Sequence, residues 1–375
     1  MPRQAVDSQK RVRKIFEQID LASENPPDAL ILANGVEPHL DASFFYVTGF
    51  PYGLFESSYL LAQRNGKISL VTTPLEEPIA NAFAKGIEIL TVSENEEAGS
   101  VLRSVGNGIN SLALNSPELN YKSYLDIKSA LKNAKLVDAS DAFEAARLIK
   151  DDSEIEAIQH ACDIASDVYK KITRILSEGV TESEVAGKIA FEMQKAGGTG
   201  VAFDSIVAFG KNSAEPHYSA GQAELKTGQF VLCDYGTKYR RYCSDITRTL
   251  VYGKASSKQK RMYQIIKDAL ELGTKLCVPE NTGAFVHSKV ASLIDFTEYK
   301  GRFIHSTGHS LGLSVHDGPG LSTRFKKKLQ PGMVMTVEPG MYVPGYGGVR
   351  IEDDVLITKG KPKVLTSAPR ELIEA

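Results

Sequence analysis

Two aspartates, Asp234 and Asp245, have the spacing in this chain that most directly suggests chemistry. They lie in VLCDYGTKYRRYCSDITRTL (231–250), where aromatic and β-branched residues favour two strands joined by a tight turn. A turn centred between Tyr239 and Arg240 would place the two aspartates opposite each other, on one face and about 5 Å apart. Carboxylates that close repel, and one stays protonated unless a cation compensates. The spacing therefore predicts a site for one or two divalent metal ions.

The second half of the chain also contains further residues that could complete such a site. One histidine and two glutamates, added to the two aspartates, would give a five-ligand set dominated by oxygen, which suits Mn, Co, Fe or Zn. Two ions roughly 3.5–4 Å apart would activate a bridging water and polarise a carbonyl oxygen, which is the chemistry of hydrolysis. The candidates lie beside glycine, proline or acidic residues and are His217, His305, His309, His316, Glu338 and Glu352.

Each candidate also has a plain structural interpretation. Glu338 precedes Pro-Gly and could be a turn residue, and EDD (352–354) could be a solvated strand edge. Apolar residues flank Glu352, however, so strand alternation places Arg350 and Glu352 on the same face of an otherwise apolar strand. That pairing favours a functional site.

The elements that must position these residues fall into two predicted domains. Residues 1–142 read as a small α/β domain, in which Asn65-Gly66 indicates a type I′ hairpin turn. The expected elements are a helix over 11–20, strands over 28–34 and 44–50, a hairpin over 57–73, and then alternating helices and strands, including a helix over 96–105.

Residues 143–375 read as an α+β domain with helices first and antiparallel strands last. Ser153 and Glu156 match a capping box at the start of a long amphipathic helix, and Thr181 and Glu184 match a second one. Ser256 is the expected cap of a third helix.

Composition excludes several classes of function. The net charge of −2 gives no electrostatic case for binding nucleic acid or an anionic membrane. No apolar run approaches the ~18 residues of a membrane span, and residues 1–20 contain no signal-peptide core. Four cysteines without CxxC spacing are typical of reduced thiols. We therefore expect a cytoplasmic protein with no nucleic-acid or membrane partner.

At the level of motifs, residues 201–355 resemble the creatinase/methionine-aminopeptidase ("pita-bread") family, and specifically its proline-directed branch, prolidase and Xaa-Pro aminopeptidase. The first ~140 residues resemble the N-terminal domain of that branch, with FFYVTGF as the best local match. The motifs occur in the family's order and are FDSIVAFGKNSAEPHY (203–218), CDYGTKYRRYCSDITRT (233–249), HSTGHSLGLSVHDGPG (305–320), VEPGMY (337–342) and VRIEDD (349–354).

The resemblance implies an α+β fold, with a pita-bread catalytic domain (143–375) after a smaller ribonuclease H-like α/β domain of the creatinase N-terminal type (1–142). It implies a homodimer that cleaves Xaa-Pro bonds in dipeptides or at the N-terminus of longer peptides. The implied cofactor is a pair of divalent ions, Mn²⁺ or Co²⁺, with Zn²⁺ or Fe²⁺ as alternatives.

The resemblance also implies a role for each candidate residue. Asp234 would bind one metal ion, while Asp245 and Glu352 would bridge both. His309 and Glu338 would bind the other ion, and Glu338 would also carry the proton of the water to the leaving proline nitrogen. Donors outside the metal shell would be His217 and His316, which contact the substrate, and His305 and Arg350, which support substrate binding.

One position departs from the family, and several functions stay open. Arg241 stands where the family's hairpin usually has glycine, and a positive φ there would be strained. Within the same fold, the alternatives are a creatinase-like amidinohydrolase without metal and a non-catalytic peptide- or protein-binding module. Both kinds of relative have lost ligands that this chain keeps. GHSLGLSVHDGPG leans slightly toward the aminopeptidase form, but the choice between dipeptidase and aminopeptidase stays open.

Overall fold

A computed structural model describes residues 6–92 and 98–375 of the chain. The chain divides into two compact units between Arg147 and Leu148. This division falls near the end of the helix Ser140–Leu148, and the boundary expected between residues 142 and 143 falls in the same helix. No helix in the described ranges combines the length and the apolar character that a bilayer span requires.

The first unit is built on a six-stranded mixed sheet in the order β4-β3-β2-β1-β5-β6. The three strands β1 to β3 are antiparallel neighbours, and β4, β5 and β6 join in parallel. The strands are β1 Ala29–Ala33, β2 Tyr59–Gln63, β3 Ile68–Thr72, β4 Glu88–Thr91, β5 Ser111–Leu114 and β6 Lys135–Asp138. The helices are α1 Ser8–Ala22, α2 Ala42–Thr48, α3 Glu77–Phe83, α4 Ala98–Val105, α5 Tyr121–Ala130 and α6 Ser140–Leu148.

The strand predicted over 44–50 is wrong, because this segment forms α2. The Asp41 side chain accepts a hydrogen bond from the backbone N–H of Ser43, and Gly49 ends the helix in the left-handed conformation. Residues 43–48 are all buried, so the apolar run packs on every side. Capping and burial thus override the strand propensity of its aromatic residues.

The hairpin predicted over 57–73 is confirmed, but its turn type is wrong. Gln63 hydrogen-bonds Lys67 across a three-residue loop, and within that loop only Gly66 has a positive φ, 90°. A type I′ turn needs two such residues, whereas a three-residue loop needs one, in its last position. The helix predicted over 96–105 is observed from Ala98, and residues 96 and 97 lie outside the described residues.

The second unit surrounds several small antiparallel sheets with four long helices. Its two three-stranded sheets have the orders β11-β8-β7 and β12-β15-β16, and β9-β10 and β13-β14 form separate pairs. The helices are α7 Asp152–Ile175, α8 Glu182–Lys195, α9 Ser257–Leu276 and α10 Gly283–Asp295. The strands are β7 Ile206–Phe209, β8 Phe230–Tyr235, β9 Lys238–Tyr239, β10 Tyr242–Cys243, β11 Ile246–Val251, β12 Val334–Val337, β13 Gly340–Val343, β14 Gly347–Arg350, β15 Asp353–Leu356 and β16 Lys363–Val364.

Apolar residues of α9 and α10 pack with those of β12 to β15 in one buried core, while α7 and α8 pack on β7, β8 and β11 in another. The strands that carry the candidate site residues therefore have helices packed on them, which keeps their backbone fixed. The second unit is the larger one and holds all the candidate site residues.

Two of the three predicted helix caps are confirmed, at Thr181 and Ser256. The first is wrong by two residues, because α7 begins with a capping box between Asp151 and Glu154. The hydroxyl of Ser153 donates instead to the Asp151 carboxylate, at 2.6 Å. An aspartate is as good a cap as serine, and the Glu154 carboxylate completes the box by accepting from the Asp151 N–H at 2.9 Å.

Candidate active site

The hairpin that carries the two aspartates has a different register from the one predicted. Asp234 lies opposite Thr247, and Asp245 precedes β11. The turn is centred one residue later than predicted, between Arg240 and Arg241, whose φ angles are 47° and 71°. Two consecutive positive φ angles are the geometry of a type I′ turn. The direct 234–245 pairing is therefore wrong.

Asp245 and Glu352 come together because each lies beside a strand rather than within one. The backbone N–H of Asp245 donates to the Asp354 carboxylate at 3.0 Å. Glu352 lies between β14 and β15, and its N–H donates to the carbonyl of Thr247 at 3.1 Å. The hydroxyl of Thr247 also donates to the Glu352 carboxylate at 2.6 Å. These bonds fix both carboxylates over the end of the β8-β11 pair.

His309 and Glu338 approach from the other side of the cavity. The N–H of His309 donates to the hydroxyl of Thr336, and its Nδ1 lies 3.2 Å from the carbonyl of Ser310. Its Nε2 lies 3.5 Å from a carboxylate oxygen of Asp245 and 3.5 Å from one of Glu338. A histidine that directs Nδ1 to a carbonyl and Nε2 to carboxylates has the orientation of a typical metal ligand.

Burial makes this carboxylate cluster unstable as a set of free anions. Burial, reinforced by Asp234 and Asp354, raises the pKa of Asp245 well above its ordinary value. Burial, reinforced by Asp245 and Glu338, does the same to the pKa of Glu352. The pKa of Asp234 is also raised by burial, although Arg350 opposes the shift. A bound cation would remove this conflict.

Two buried oxygens support a cation at this place. The Oδ1 atoms of Asp234 and Asp245 have no hydrogen-bond partner among the residues that the structure describes. Ligand atoms of Asp245, His309 and Glu352 lie within 4.8 Å of one another. Oxygen donors with one imidazole match the preferences of Mn²⁺, Co²⁺, Zn²⁺ and Fe²⁺. The residues therefore fit a divalent metal centre.

Arg350 connects this cluster to the wall of the cavity. Its Nη2 lies 2.5 Å from the Asp234 carboxylate, and its Nε donates to the hydroxyl of Thr247 at 3.1 Å. Its Nη1 donates to the hydroxyl of Tyr342 at 2.8 Å, and His305 Nε2 lies 2.8 Å from the same hydroxyl. Arg350 is only 3% exposed. It therefore holds one carboxylate and one hydroxyl in fixed positions.

His217 and His316 are the more exposed histidines of the cavity wall. The ring of His316 lies 4.3 Å from that of His309, centroid to centroid. Partial burial and the neighbouring His309 lower the pKa of His316, and burial lowers that of His305. Both rings are therefore neutral near neutral pH, and each can donate one hydrogen bond.

A cavity of about 640 Å³ brings the sequence-predicted residues together. Its wall contains all five predicted metal ligands and the four predicted substrate-binding residues, namely Asp234, Asp245, His309, Glu338, Glu352, His217, His305, His316 and Arg350. Apolar side chains, among them Phe203, Ile206 and Val315, line the same space. The cavity can thus hold a small substrate with an apolar part beside a hydrolytic centre.

Sequence reasoning missed Tyr342 and Asp354. Tyr342 is buried and faces into the site from β13, and burial raises its pKa to about 12, so its hydroxyl keeps its proton. Asp354 ends the EDD run, whose sequence is compatible with a solvated strand edge, yet it is fully buried and accepts from the Asp245 backbone N–H. Strand alternation from Glu352 would have placed Asp354 on the same face.

Comparison with known proteins agrees with this geometry. The model of metallopeptidase family M24 matches residues 156–359, and the creatinase/prolidase N-terminal domain matches residues 11–149. The chain belongs to metallopeptidase family M24. The two-domain pita-bread fold predicted from the motifs is therefore confirmed, and the protein is a metallopeptidase.

Relatives of this M24 peptidase match it over nearly their whole length. An uncharacterized peptidase of Bacillus subtilis is 37% identical, over 97% of this chain and 99% of the relative. The Xaa-Pro dipeptidase of Pyrococcus furiosus is 34% identical, over 97% and 99%. The solved Xaa-Pro dipeptidase from Bacillus anthracis has a TM-score of 0.90 at 34% identity, and it covers 98% of this chain and 100% of its own.

A solved X-Pro aminopeptidase from Thermotoga maritima is also similar, with a TM-score of 0.87 at 32% identity over 93% of this chain and 98% of its own. Membership of a metallopeptidase family implies divalent metal ions. The carboxylate–histidine cluster described above is the place in the second unit whose donors fit them.

Proposed function

We propose that this M24 metallopeptidase hydrolyses the peptide bond before proline, in Xaa-Pro dipeptides or at the N-terminus of longer peptides, with two divalent metal ions. The observation that carries the proposal is the convergence of Asp234, Asp245, His309, Glu338 and Glu352, with two partnerless carboxylate oxygens between them. Mn²⁺ or Co²⁺ is the proposed metal, with Zn²⁺ or Fe²⁺ as alternatives. When bound, the ions supply a water nucleophile at neutral pH and polarise the scissile carbonyl.

The protein's own groups would divide the remaining work. Asp245 and Glu352, the two most buried carboxylates among the five proposed ligands, would be shared by both ions. Asp234 would bind one ion, and His309 and Glu338 would bind the other. Glu338 would receive the proton of the water and pass it to the leaving nitrogen of proline. Its carboxylate is 3.5 Å from His309 and has a hydroxyl, Thr336, at 3.3 Å.

The two exposed histidines, His217 and His316, would donate hydrogen bonds to the carbonyl oxygen as it becomes negative. Preorganised hydrogen-bond donors stabilise such charge in the transition state. Arg350 and His305 both contact the hydroxyl of Tyr342, and this shared contact would hold their side chains in position to support substrate binding. Apolar residues such as Phe203 and Ile206 would contact the proline ring.

The two alternative functions predict that activity or binding is unaffected when metal is removed, whereas the proposed peptidase would lose its activity. A creatinase-like amidinohydrolase needs no metal, and a binding module needs no intact ligand set, so neither accounts for five convergent ligands.

The test of the proposed proline preference is hydrolysis of Ala-Pro and of Ala-Ala by the Mn²⁺-loaded protein. We expect rapid release of proline from Ala-Pro and little cleavage of Ala-Ala. Equal cleavage of both, or of neither, would reject the proline preference.

A second assay separates the two forms of the proposal. A dipeptidase cleaves Ala-Pro much faster than Ala-Pro-Ala, whereas an aminopeptidase cleaves both.

Cytoplasmic location and a homodimer also stay predictions, and size-exclusion chromatography with light scattering measures the oligomeric state directly.

A further inference from the structure

Lys238 is a charged residue of the site wall that none of the roles above uses. It is the first residue of β9, where its N–H donates to the carbonyl of Gly200 at 2.9 Å and it lies opposite Cys243 of β10. Its side chain is half-buried and lines the same cavity as the metal-ligand cluster. A lysine in this place brings a permanent positive charge to the substrate.

Two side chains of the cavity wall are permanently cationic, Arg350 and Lys238. Each nitrogen of Arg350 already donates to the protein, to Asp234, to Thr247 or to Tyr342. The charge of Arg350 is thus balanced by the neighbouring carboxylate, and its guanidinium is held in place. Arg350 is therefore poorly suited to bind a second anion from the substrate.

The ammonium of Lys238, in contrast, has no hydrogen-bond or ion-pair partner within residues 6–92 and 98–375. Its charge acts on the Cys243 thiol, where it opposes the rise in pKa that burial causes. Since Cys243 itself lines the cavity, the charge lies on the cavity side of the hairpin. Lys238 is the wall cation left available to a ligand.

The turn beyond Lys238 adds charge of the same sign. Arg240 and Arg241 follow it, and the side chain of Arg240 is exposed beside the ring of Tyr239 at 5.5 Å. Lys238, Arg240 and Arg241 thus place three cations within four residues of this hairpin, although only Lys238 lines the cavity. Clustered positive charge raises the local concentration of anionic ligands.

We propose that Lys238 determines substrate specificity by pairing with a carboxylate of the bound peptide. The carboxylate is either the free C-terminus of a dipeptide or the side chain of an acidic residue before proline. The inference rests on the proposed function, since it concerns the peptide held in that site. Lys238 would bind the substrate and take no part in bond cleavage.

The test uses the full-length, Mn²⁺-loaded protein and two matched substrate pairs. Ala-Pro against Ala-Pro-amide isolates the C-terminal carboxylate, and Asp-Pro-amide against Asn-Pro-amide isolates the acidic side chain. The variants are Lys238→Met, which removes the charge at similar volume, and Lys238→Arg, which keeps it. Lys226→Met, an exposed lysine outside the cavity, is the matched control.

We expect Lys238→Met to lower kcat/KM roughly tenfold for the charged member of one pair, mainly through KM, and to leave the neutral member unchanged. The pair that responds identifies the carboxylate, and Lys238→Arg restores most of the preference. Unchanged ratios for both pairs would overturn the inference while the proposed function stands. Absence of turnover by the wild type on every peptide would overturn the proposed function itself, and the inference with it.

Discussion

At the scale of single residues, Asp245 is the proposed metal ligand whose surroundings most strongly favour a bound cation. It is 4% exposed, it lies 3.5 Å from His309 Nε2, and one of its oxygens has no partner within the described chain. Its neighbours Asp234 and Asp354 are both acidic and raise its pKa. The position is therefore unfavourable for a carboxylate except as a metal ligand.

Asp245→Asn tests this residue with almost no change in volume. We expect kcat on Ala-Pro to fall by roughly 10³-fold or more, because an amide is a poor bridging ligand and the metal ions supply several kcal/mol of transition-state stabilisation. Circular dichroism should show an unchanged fold. Asp268→Asn, at an exposed position of α9, is the control. A kcat within tenfold of the wild type would contradict a bridging role.

The ligand candidates were accessible from sequence because each lies in a motif with a distinctive local composition. Tyr342 and Asp354 were not, because their importance comes from partners far away in the chain, Arg350 and His305 for one and Asp245 for the other. When contacts with residues far away in the chain determine the role of a side chain, the sequence around it carries little information about that role.

At the scale of elements, the sequence predicts the backbone conformation of the Arg240-Arg241 turn better than it predicts the register of the two strands that the turn joins. The sequence predicts the positive φ of Arg241 correctly, but it predicts the wrong register, because the turn is centred one residue later than expected. With the turn centred between Arg240 and Arg241, Asp234 pairs with Thr247, and Asp245 lies between β10 and β11. The strand predicted at α2 is wrong because residues 43–48 are all buried. Burial on all sides removes the alternation of apolar and polar residues by which strands and helices are told apart in a sequence.

Replacing Arg241 by glycine should stabilise the protein. Its φ of 71° lies in the left-handed region, which costs a side chain about 1 kcal/mol relative to glycine. We expect Arg241→Gly to raise the free energy of unfolding by about 1 kcal/mol in urea titrations, with Arg241→Lys close to the wild type. A stability loss in the glycine variant would show that the contacts of Arg241 outweigh its backbone strain.

The pairing of β11 with the segment after β14 depends on a buried ion pair. Arg248 and Asp353 are both fully buried and lie 2.8 Å apart, and Asp353 also accepts from Thr366 at 2.7 Å. Arg248 donates to the carbonyls of Thr247 and Glu352 as well. It thus connects β11, which follows Asp245, to the backbone of Glu352.

Removing Arg248 leaves the buried Asp353 carboxylate with Arg370 as its remaining ionic partner, and it leaves the buried carbonyls of Glu352 and Ala368 without this donor. We expect Arg248→Met to lower the free energy of unfolding by about 3–5 kcal/mol, measured by urea titration. Arg261→Met, which removes an exposed pair with Glu298, should change it by less than about 1 kcal/mol. Similar effects of the two substitutions would contradict the importance of the buried pair.

At the scale of the whole molecule, stability should depend on pH and metal together. Burial raises the pKa of Asp354 to about 7, and those of Asp245 and Glu352 well above their ordinary values. Because the folded protein then binds more protons than the unfolded chain, the metal-free protein loses stability as pH rises through the window from about 4 to about 7. Metal ions bind the deprotonated ligands and reverse this loss.

Thermal unfolding at about pH 5.5 and about pH 8 measures both effects. In EDTA we expect a lower Tm at the higher pH, and a smaller difference in Asp354→Asn. Added Mn²⁺ should raise Tm more at about pH 8 than at about pH 5.5, since binding to the folded state alone stabilises it. An equal rise at both pH values would be inconsistent with buried, proton-binding ligands.

The central claim is that a two-metal centre built from five residues of the second unit cleaves the bond before proline. The most direct measurement is proline release from Ala-Pro by protein stripped with EDTA and then titrated with Mn²⁺, with bound metal counted by mass spectrometry. We expect no turnover in the stripped protein and full activity at two ions per chain. Undiminished turnover of Ala-Pro without bound metal would contradict the claim.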